Sequence, residues 1–269
     1  MQTDFKALDI ESIRESTDCG TIHYFDSLDS TSSWLLKYGK CGDICISEEQ
    51  TVGRGRRGNT WESPRGNIFF SMCWCFTEVT ENWSLLGLVV GIAVADALAE
   101  MGLKGHGIKW PNDVFWNLKK LGGILLETAD QSGKIVIGIG LNISLSTQVE
   151  DKIGQAATSI NEVMGITDKN HHFSDVVIAK ETIYTHLINH LQKHLANFKS
   201  LIFDEFVETW KIWDVLQGRQ ISFNYQNEKV TGEAIGIDKF GRLKVLKSTG
   251  EINVYSSAEI KLTKNGNSE

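Results

Sequence analysis

The chain has 269 residues, 41% hydrophobic and 23% charged, with 27 Lys+Arg against 34 Asp+Glu and a net charge of −7. This length and apolar content suffice for one large domain, or a large one with a small companion, without disulfide support. The acidic balance excludes a general nucleic-acid binder, which needs clustered excess positive charge. In chain order, residues 22–28 read as a short strand, and Asp29-Ser30-Thr31-Ser32 supplies cap residues for a helix through Trp34, Leu35 and Leu36. Residues 44–48 and 68–76 read as strands, and 83–101 as a buried helix, apolar on most faces. A meander follows: strands at 106–110, 114–116, 124–127 and 135–143, with turns at Pro111-Asn112-Asp113, Asn117-Leu118-Lys119-Lys120 and Gln131-Ser132-Gly133-Lys134. Residues 173–198 and 201–213 have helical period, and 218–262 hold four or five short strands that suggest a small barrel.

The expected division is 1–215 for a catalytic domain, 216–263 for the small barrel and 264–269 for a polar tail. The first ten residues lack the apolar run of a signal peptide, and 85–98, interrupted by Asp96, is too short to cross a bilayer. Cys19, Cys41, Cys45, Cys73 and Cys75 form no metal-ligand set and read as reduced thiols of a cytoplasmic protein. His186, His190 and His194 recur every fourth residue. Metal binding is one reading; a polar margin beside the stripe Ile183, Leu187, Leu191 and Leu195 is the favoured one.

Residues 53–58 read Gly-Arg-Gly-Arg-Arg-Gly. The glycine spacing matches a dinucleotide fingerprint, but that motif needs a helix starting at the glycines. Pro64 and Gly66 follow and forbid one. Three arginines in four residues repel one another unless an anion screens them, so the segment reads as a loop that grips phosphate or carboxylate.

The flanks of this loop resemble the catalytic domain of biotin protein ligases. Asp29-Ser30-Thr31 is similar to the family's D-S-T-N. Residues 50–58, with Trp61 and Ser63-Pro64, resemble its Q-x-x-G-R-G-R-x-G…W-x-S-P. Lys109-Trp110-Pro111-Asn112-Asp113 matches K-W-P-N-D, 120–127 resembles K-[LV]-[AG]-G-I-L-x-E, and 138–142 matches G-I-G-x-N. Residues 218–262 look like the family's SH3-like C-terminal barrel. Ser32 stands where the family has Asn, and Ser256-Ser257-Ala258-Glu259 lacks an arginine that some members carry before S-A-E.

The resemblance implies an α+β fold: a mixed-sheet catalytic domain of the biotin/lipoate ligase type, related to class II aminoacyl-tRNA synthetases, plus the barrel. It implies ATP-dependent adenylation of biotin, with Mg²⁺, then transfer to a lysine of a biotin carboxyl carrier domain. Catalysis falls to Lys120, Arg54 and Asp113. Biotin falls to Ser30, Thr31, Ser32, Gln50, Gly53, Arg54, Arg56, Arg57, Lys120 and Gly123. ATP and the adenylate fall to Arg54, Arg56, Arg57, Trp61, Lys109, Asn112, Lys120 and Asn142. No metal ligands are assigned.

The chemistry agrees with these residue types. Biotin's carboxylate is already ionised at neutral pH and needs no base; the obstacle is bringing one anion onto another. Two unit charges 4 Å apart interact by about 4 kcal/mol at an effective dielectric of 20, so placed cations lower that barrier. Trp61 offers a π-face or a packing anchor. Glycines would let the loop close over a water-sensitive anhydride. Asp113 is read as accepting the carrier amine's proton or orienting that amine. The short segment before Ser30 leads us to expect the monofunctional form, without a DNA-binding domain. Sheet edges leave room for a homodimer. A lipoate ligase is the nearest rival, though its R-R-x-S-G-G-G-type run is missing; a nucleic-acid binder with an Arg/Gly loop is the rival of another class.

Overall fold

The computed structural model describes residues 8–78, 81–128, 133–145, 155–165, 178–226, 228–256, 258 and 260. The expected turn residues Gln131, Ser132 and Asn227, the first part of the helix expected at 173, and the tail 264–269 lie outside these. The chain is α+β. A seven-stranded mixed sheet runs in the order β1-β2-β3-β7-β6-β5-β4. Its strands are β1 (Ile22–Phe25), β2 (Ile44–Ser47), β3 (Ile68–Cys75), β4 (His106–Lys109), β5 (Asp113–Trp116), β6 (Lys119–Thr128) and β7 (Lys134–Leu141). β1 and β2 are parallel, and the other neighbours are antiparallel. The four strands β8 (Gln220–Tyr225), β9 (Glu228–Ile237), β10 (Leu243–Leu246) and β11 (Ile252–Tyr255) form an antiparallel meander of their own. The residues that a fifth strand would need, past Ile260, lie outside the described ones.

Helix α1 (Ile10–Glu15), not anticipated from sequence, is capped by Asp9, whose Oδ1 accepts from Ser12 N at 3.1 Å. Helix α2 (Thr31–Tyr38) is capped by Ser30, one of the four candidates read from sequence. Helices α3 (Leu86–Glu100), α4 (Ile160–Val163), α5 (Lys180–Ala196) and α6 (Phe203–Trp213) follow among the described residues. α3 and α5 pack together on one face of the sheet; α2 lies against β2, β3 and β7 on the other.

Strand alternation sorts these faces. On β7, Ile135, Ile137, Ile139 and Leu141 join the large core under α3 and α5. The positions between them are Val136, Gly138 and Gly140, so the other face is nearly bare. With the 3₁₀ turn before it, residues 82–100 are long and apolar enough to span a bilayer, contrary to the length expectation. Two-thirds of that segment is buried within the fold, which explains its composition.

Two further expectations change. Cys41 and Cys75 are joined by a disulfide with Cα atoms 5.5 Å apart, so the all-thiol reading is wrong for that pair. Gly42 N donates to Cys73 O at 2.8 Å, which brings the turn after α2 alongside the end of β3. Parity of the cysteine count carries no information on that approach. The turn expected at 117–120 shortens to Asn117 and Leu118, both at positive φ (45° and 64°), as a two-residue hairpin turn requires. Lys119 and Lys120 therefore belong to β6.

Candidate active site

A cavity of about 700 Å³ opens on the bare face of the sheet. Its floor follows from strand register. Ser71, Gly138 and Leu125 lie abreast on β3, β7 and β6, and Gly140 is abreast of Gly123. Glycine is required at these places. A Cβ on Gly138 would come within 2.5 Å of Ser32 Oγ, and one on Gly140 within 2.6 Å of Trp61 Nε1.

One end of the cavity is neutral and polar. Gln50 Oε1 accepts from Thr31 N at 2.9 Å, while Gln50 Nε2 donates to Ser63 Oγ at 2.9 Å. The Thr31 hydroxyl lies 2.8 Å from Ser71 Oγ, which lies 2.9 Å from Ser32 Oγ. Sequence reasoning missed Ser71. Its signal was a lone hydroxyl in the middle of an apolar strand.

The other end is cationic. Among the described residues, Arg54, Arg56, Arg57, Lys109 and Lys120 line the cavity against two carboxylates, Glu62 and Asp113, which inverts the chain's acidic balance locally. A register shift between Val114 and Phe115 leaves Leu121 as an extra residue on β6. That bulge puts Lys120 and Gly123 on the same, cavity-facing side. Lys120 Nζ is 2.8 Å from Asp113 Oδ1 and 5.2 Å from the centre of the Trp61 ring. Lys109 Nζ is 3.7 Å from Asp113 Oδ2 and sits over the Phe115 ring. Asp113 thus faces an ammonium on each oxygen and is placed to hold Lys120. Lys119, by contrast, turns away to Glu162 at 2.6 Å.

The arginine loop is a small hairpin: Trp61 N donates to Gly53 O and Gly55 N to Asn59 O. Arg56 Nη1 donates to Asn112 Oδ1 at 2.9 Å, and Asn112 Nδ2 donates to Ile124 O. Burial, with the charge of Arg57 beside it, holds the Arg56 guanidinium below its usual pKa, against the pull of Asp113. Arg54 pairs with Glu127 at 2.6 Å. Gly53 does not line the cavity. Its missing side chain admits Trp61 O and Ser63 Oγ instead, so its contribution is close packing of the loop stem. Gly58 sits at φ 79°.

Trp61 lies against Gly123 and Gly140, and its Nε1 is buried without a hydrogen-bond partner. Leaving such a donor unpaired costs about 1–3 kcal/mol. Asn142 Nδ2 donates to Thr158 O at 3.0 Å, pinning the segment whose Gln155, Ala156 and Ala157 also line the cavity. The small sheet closes the site from another side. Trp110 Nε1 donates to Gly241 O at 2.9 Å, and Ala258 and Ile260 reach the cavity wall. Of the residues assigned from sequence, all but Gly53 meet around this one space.

The Biotin/lipoate A/B protein ligase family matches residues 24–143, and the Biotin protein ligase C terminal domain matches 217–262. The Bifunctional ligase/repressor BirA of Salmonella typhimurium is 34% identical over 263 residues, covering 95% of this chain and 78% of that one. This chain belongs to the biotin protein ligase family. The ligase is also 36% identical over 135 residues to the Biotin--[acetyl-CoA-carboxylase] ligase of Mycobacterium tuberculosis, covering 48% of this chain and 49% of that one. The solved biotin protein ligase of Aquifex aeolicus, in complex with biotin and ATP, superposes with a TM-score of 0.74. It is 28% identical, over 89% of this chain and 97% of that one. The second matched region is one described for biotin protein ligases, and two of the loop arginines, Arg54 and Arg56, are paired with Glu127 and Asn112.

Proposed function

We propose that this ligase condenses biotin with ATP to biotinyl-adenylate and transfers the biotinyl group to a lysine of a biotin carboxyl carrier domain, in the cytoplasm. The observation that carries the reading is the division of one cavity into a neutral hydroxyl–amide end and an end with five cations. A ureido ring has two N–H donors and one carbonyl, which suits Ser32, Thr31 and Gln50, with Ser71 behind the two hydroxyls to orient them. A carboxylate and a triphosphate suit the cationic end.

In the first step a biotin carboxylate oxygen bonds to the α-phosphorus and pyrophosphate leaves. Lys120, held by Asp113, neutralises the charge gathered between the two anions. Arg56 and Arg57 hold phosphate oxygens. Trp61 covers the product, and its orphan N–H gains an acceptor from the ligand or by moving. Mg²⁺ would arrive on the nucleotide. The cavity's two carboxylates, one tied to two lysines, build no cage for it, and no step is derived through it. In the second step the carrier amine attacks the acyl carbon, AMP leaves, and the amine's proton passes to solvent or to Asp113. Closure of the arginine hairpin over the anhydride would keep water out. Limited proteolysis with and without biotin and ATP reads that closure, and unchanged cleavage would count against it.

The direct test mixes the protein with biotin, Mg·ATP and an apo carrier domain and probes with streptavidin, with lipoate as the competing acid. Labelled carrier is expected. No biotin transfer, or transfer of lipoate alone, overturns the reading.

A further inference from the structure

On the sheet face away from the cavity, α3 and α5 bring together residues that the ligase chemistry does not use. Asp96 and Glu100 are one turn apart on α3, and His186, His190 and His194 are one turn apart on α5, so each set shares a helix face. His194 Nε2 is 2.9 Å from Asp96 Oδ2, and His190 Nε2 is 2.5 Å from Glu100 Oε2. His186 Nδ1 is 3.5 Å from the same Glu100 oxygen. One ligand atom from each of Asp96, His190 and His194 lies within 4.8 Å of the other two.

We infer that Asp96, His190 and His194 form a binding site for a divalent transition metal, best suited to Zn²⁺, that braces α3 against α5. Several features favour this triad over the one formed by Glu100, His186 and His190. Asp96 is already oriented: Trp213 Nε1 donates to its Oδ1 at 3.0 Å, which leaves Oδ2 for an ion. His190 has one ring nitrogen held by Glu100, while its Nδ1 is buried with no hydrogen-bond partner. A carboxylate on the second nitrogen of a ligating histidine is the usual outer shell of such sites. The Glu100 side chain is 57% exposed and has no comparable anchor.

Two imidazoles and one carboxylate match Zn²⁺, which takes nitrogen and oxygen at about 2.0–2.2 Å and tolerates a water as fourth ligand. They do not match Mg²⁺ or Ca²⁺, which prefer oxygen donors throughout. Ligand atoms around zinc stand at most about 4 Å apart, so side-chain rotation of well under a helical turn closes the site. The ion would join two helices of the core layer, away from the reacting atoms, so its effect is on stability.

The test titrates ZnCl₂ into the EDTA-treated, dialysed full chain by calorimetry. About one Zn²⁺ per chain is expected, with a thermal midpoint that rises on loading. Asp96→Asn, His190→Ala and His194→Gln should each weaken binding about tenfold or more, and His186→Ala less than about threefold. Substitution by Co²⁺ should give absorption without thiolate charge transfer, which separates this site from the free cysteines Cys19, Cys45 and Cys73. Absence of stoichiometric binding overturns the inference. So does binding that survives the His190→Ala/His194→Gln double variant while its apo thermal midpoint stays at the parent's value. Greater sensitivity to His186→Ala than to His194→Gln would reassign the ion to the Glu100 triad and also refute it.

Discussion

The two faces of strands β3, β7 and β6 solve opposite problems with the same backbone. Under α3 and α5 the strands present Met72, Ile135, Ile137 and Leu141, and stability comes from filling space. On the reverse side the same strands present Ser71, Gly138, Gly140 and Gly123, and function comes from leaving space. Neighbouring residues on β7 therefore differ in kind. Truncating one of the first set should cost folding and spare chemistry, whereas enlarging one of the second should do the reverse.

The largest effect is expected at the cationic end. Lys120→Ala should lower the rate of adenylate formation about 10³-fold, close to 4 kcal/mol of barrier, with biotin affinity changed several-fold at most. Lys119→Ala is the control, because that side chain pairs with Glu162 outside the cavity. Pyrophosphate release in single turnover measures both. Matching rates for the two variants would remove Lys120 from the mechanism.

Ile137→Ala sharpens the contrast from the other side. Ile137 is fully buried in the helix-side core, and its truncation should cost about 3 kcal/mol. The thermal midpoint should fall by roughly 5–15 °C, with kcat near the parent's at a temperature where the variant is folded. A kcat loss at full foldedness would mean that the faces are coupled.

Gly140→Ala adds one methyl group on the cavity side, three residues further along. That methyl would meet the Trp61 indole at 2.6–3.0 Å, so the ring must shift off the floor. Overpacking of this kind costs about 2 kcal/mol, and here it should appear as a roughly 30-fold loss in kcat/KM. The thermal midpoint should move by no more than about 3 °C, because the indole can swing outward with its hairpin. A large stability loss with normal activity would show that Trp61 is a packing anchor alone.

The sequence made this contrast half visible. Period-two apolar runs and turn residues located β2, β3, β4 and β7 to within a residue or two, and motif order located the lysines and arginines. Ser71 showed only as a lone hydroxyl in an apolar strand, and its role and that of the β7 glycines were not legible, because they depend on which strands are neighbours. β3 pairs with β7 between residues 59 to 73 positions apart in the chain. The bulge at Leu121 that aims Lys120 leaves no composition signal, nor does the Cys41–Cys75 bond. The histidines on α5 showed their spacing but not the two carboxylates that α3 sets opposite them.

Charge follows the same division and gives the smallest predicted effect. Asp113, at the cavity, faces two ammonium groups. Asp214, in the helix-side core, faces neutral donors: Trp210 Nε1 at 3.1 Å, Leu216 N at 2.9 Å and the backbone of Gln217. Burial pushes its carboxyl from the ordinary 3.8 up to about 6, against those hydrogen bonds. The folded state therefore holds this proton more tightly than the unfolded one. The stabilisation is complete below the unfolded pKa and is lost as pH rises through about 6. Between pH 5 and pH 8 this group alone should lower stability by about 1.4 kcal/mol. Asp214→Asn keeps a carbonyl acceptor but cannot titrate, so the gap between parent and variant should narrow by that amount over the interval. Urea unfolding of both proteins at the two pH values measures it. A gap independent of pH would place Asp214 in a pairing like that of Asp113 and end the distinction between the faces.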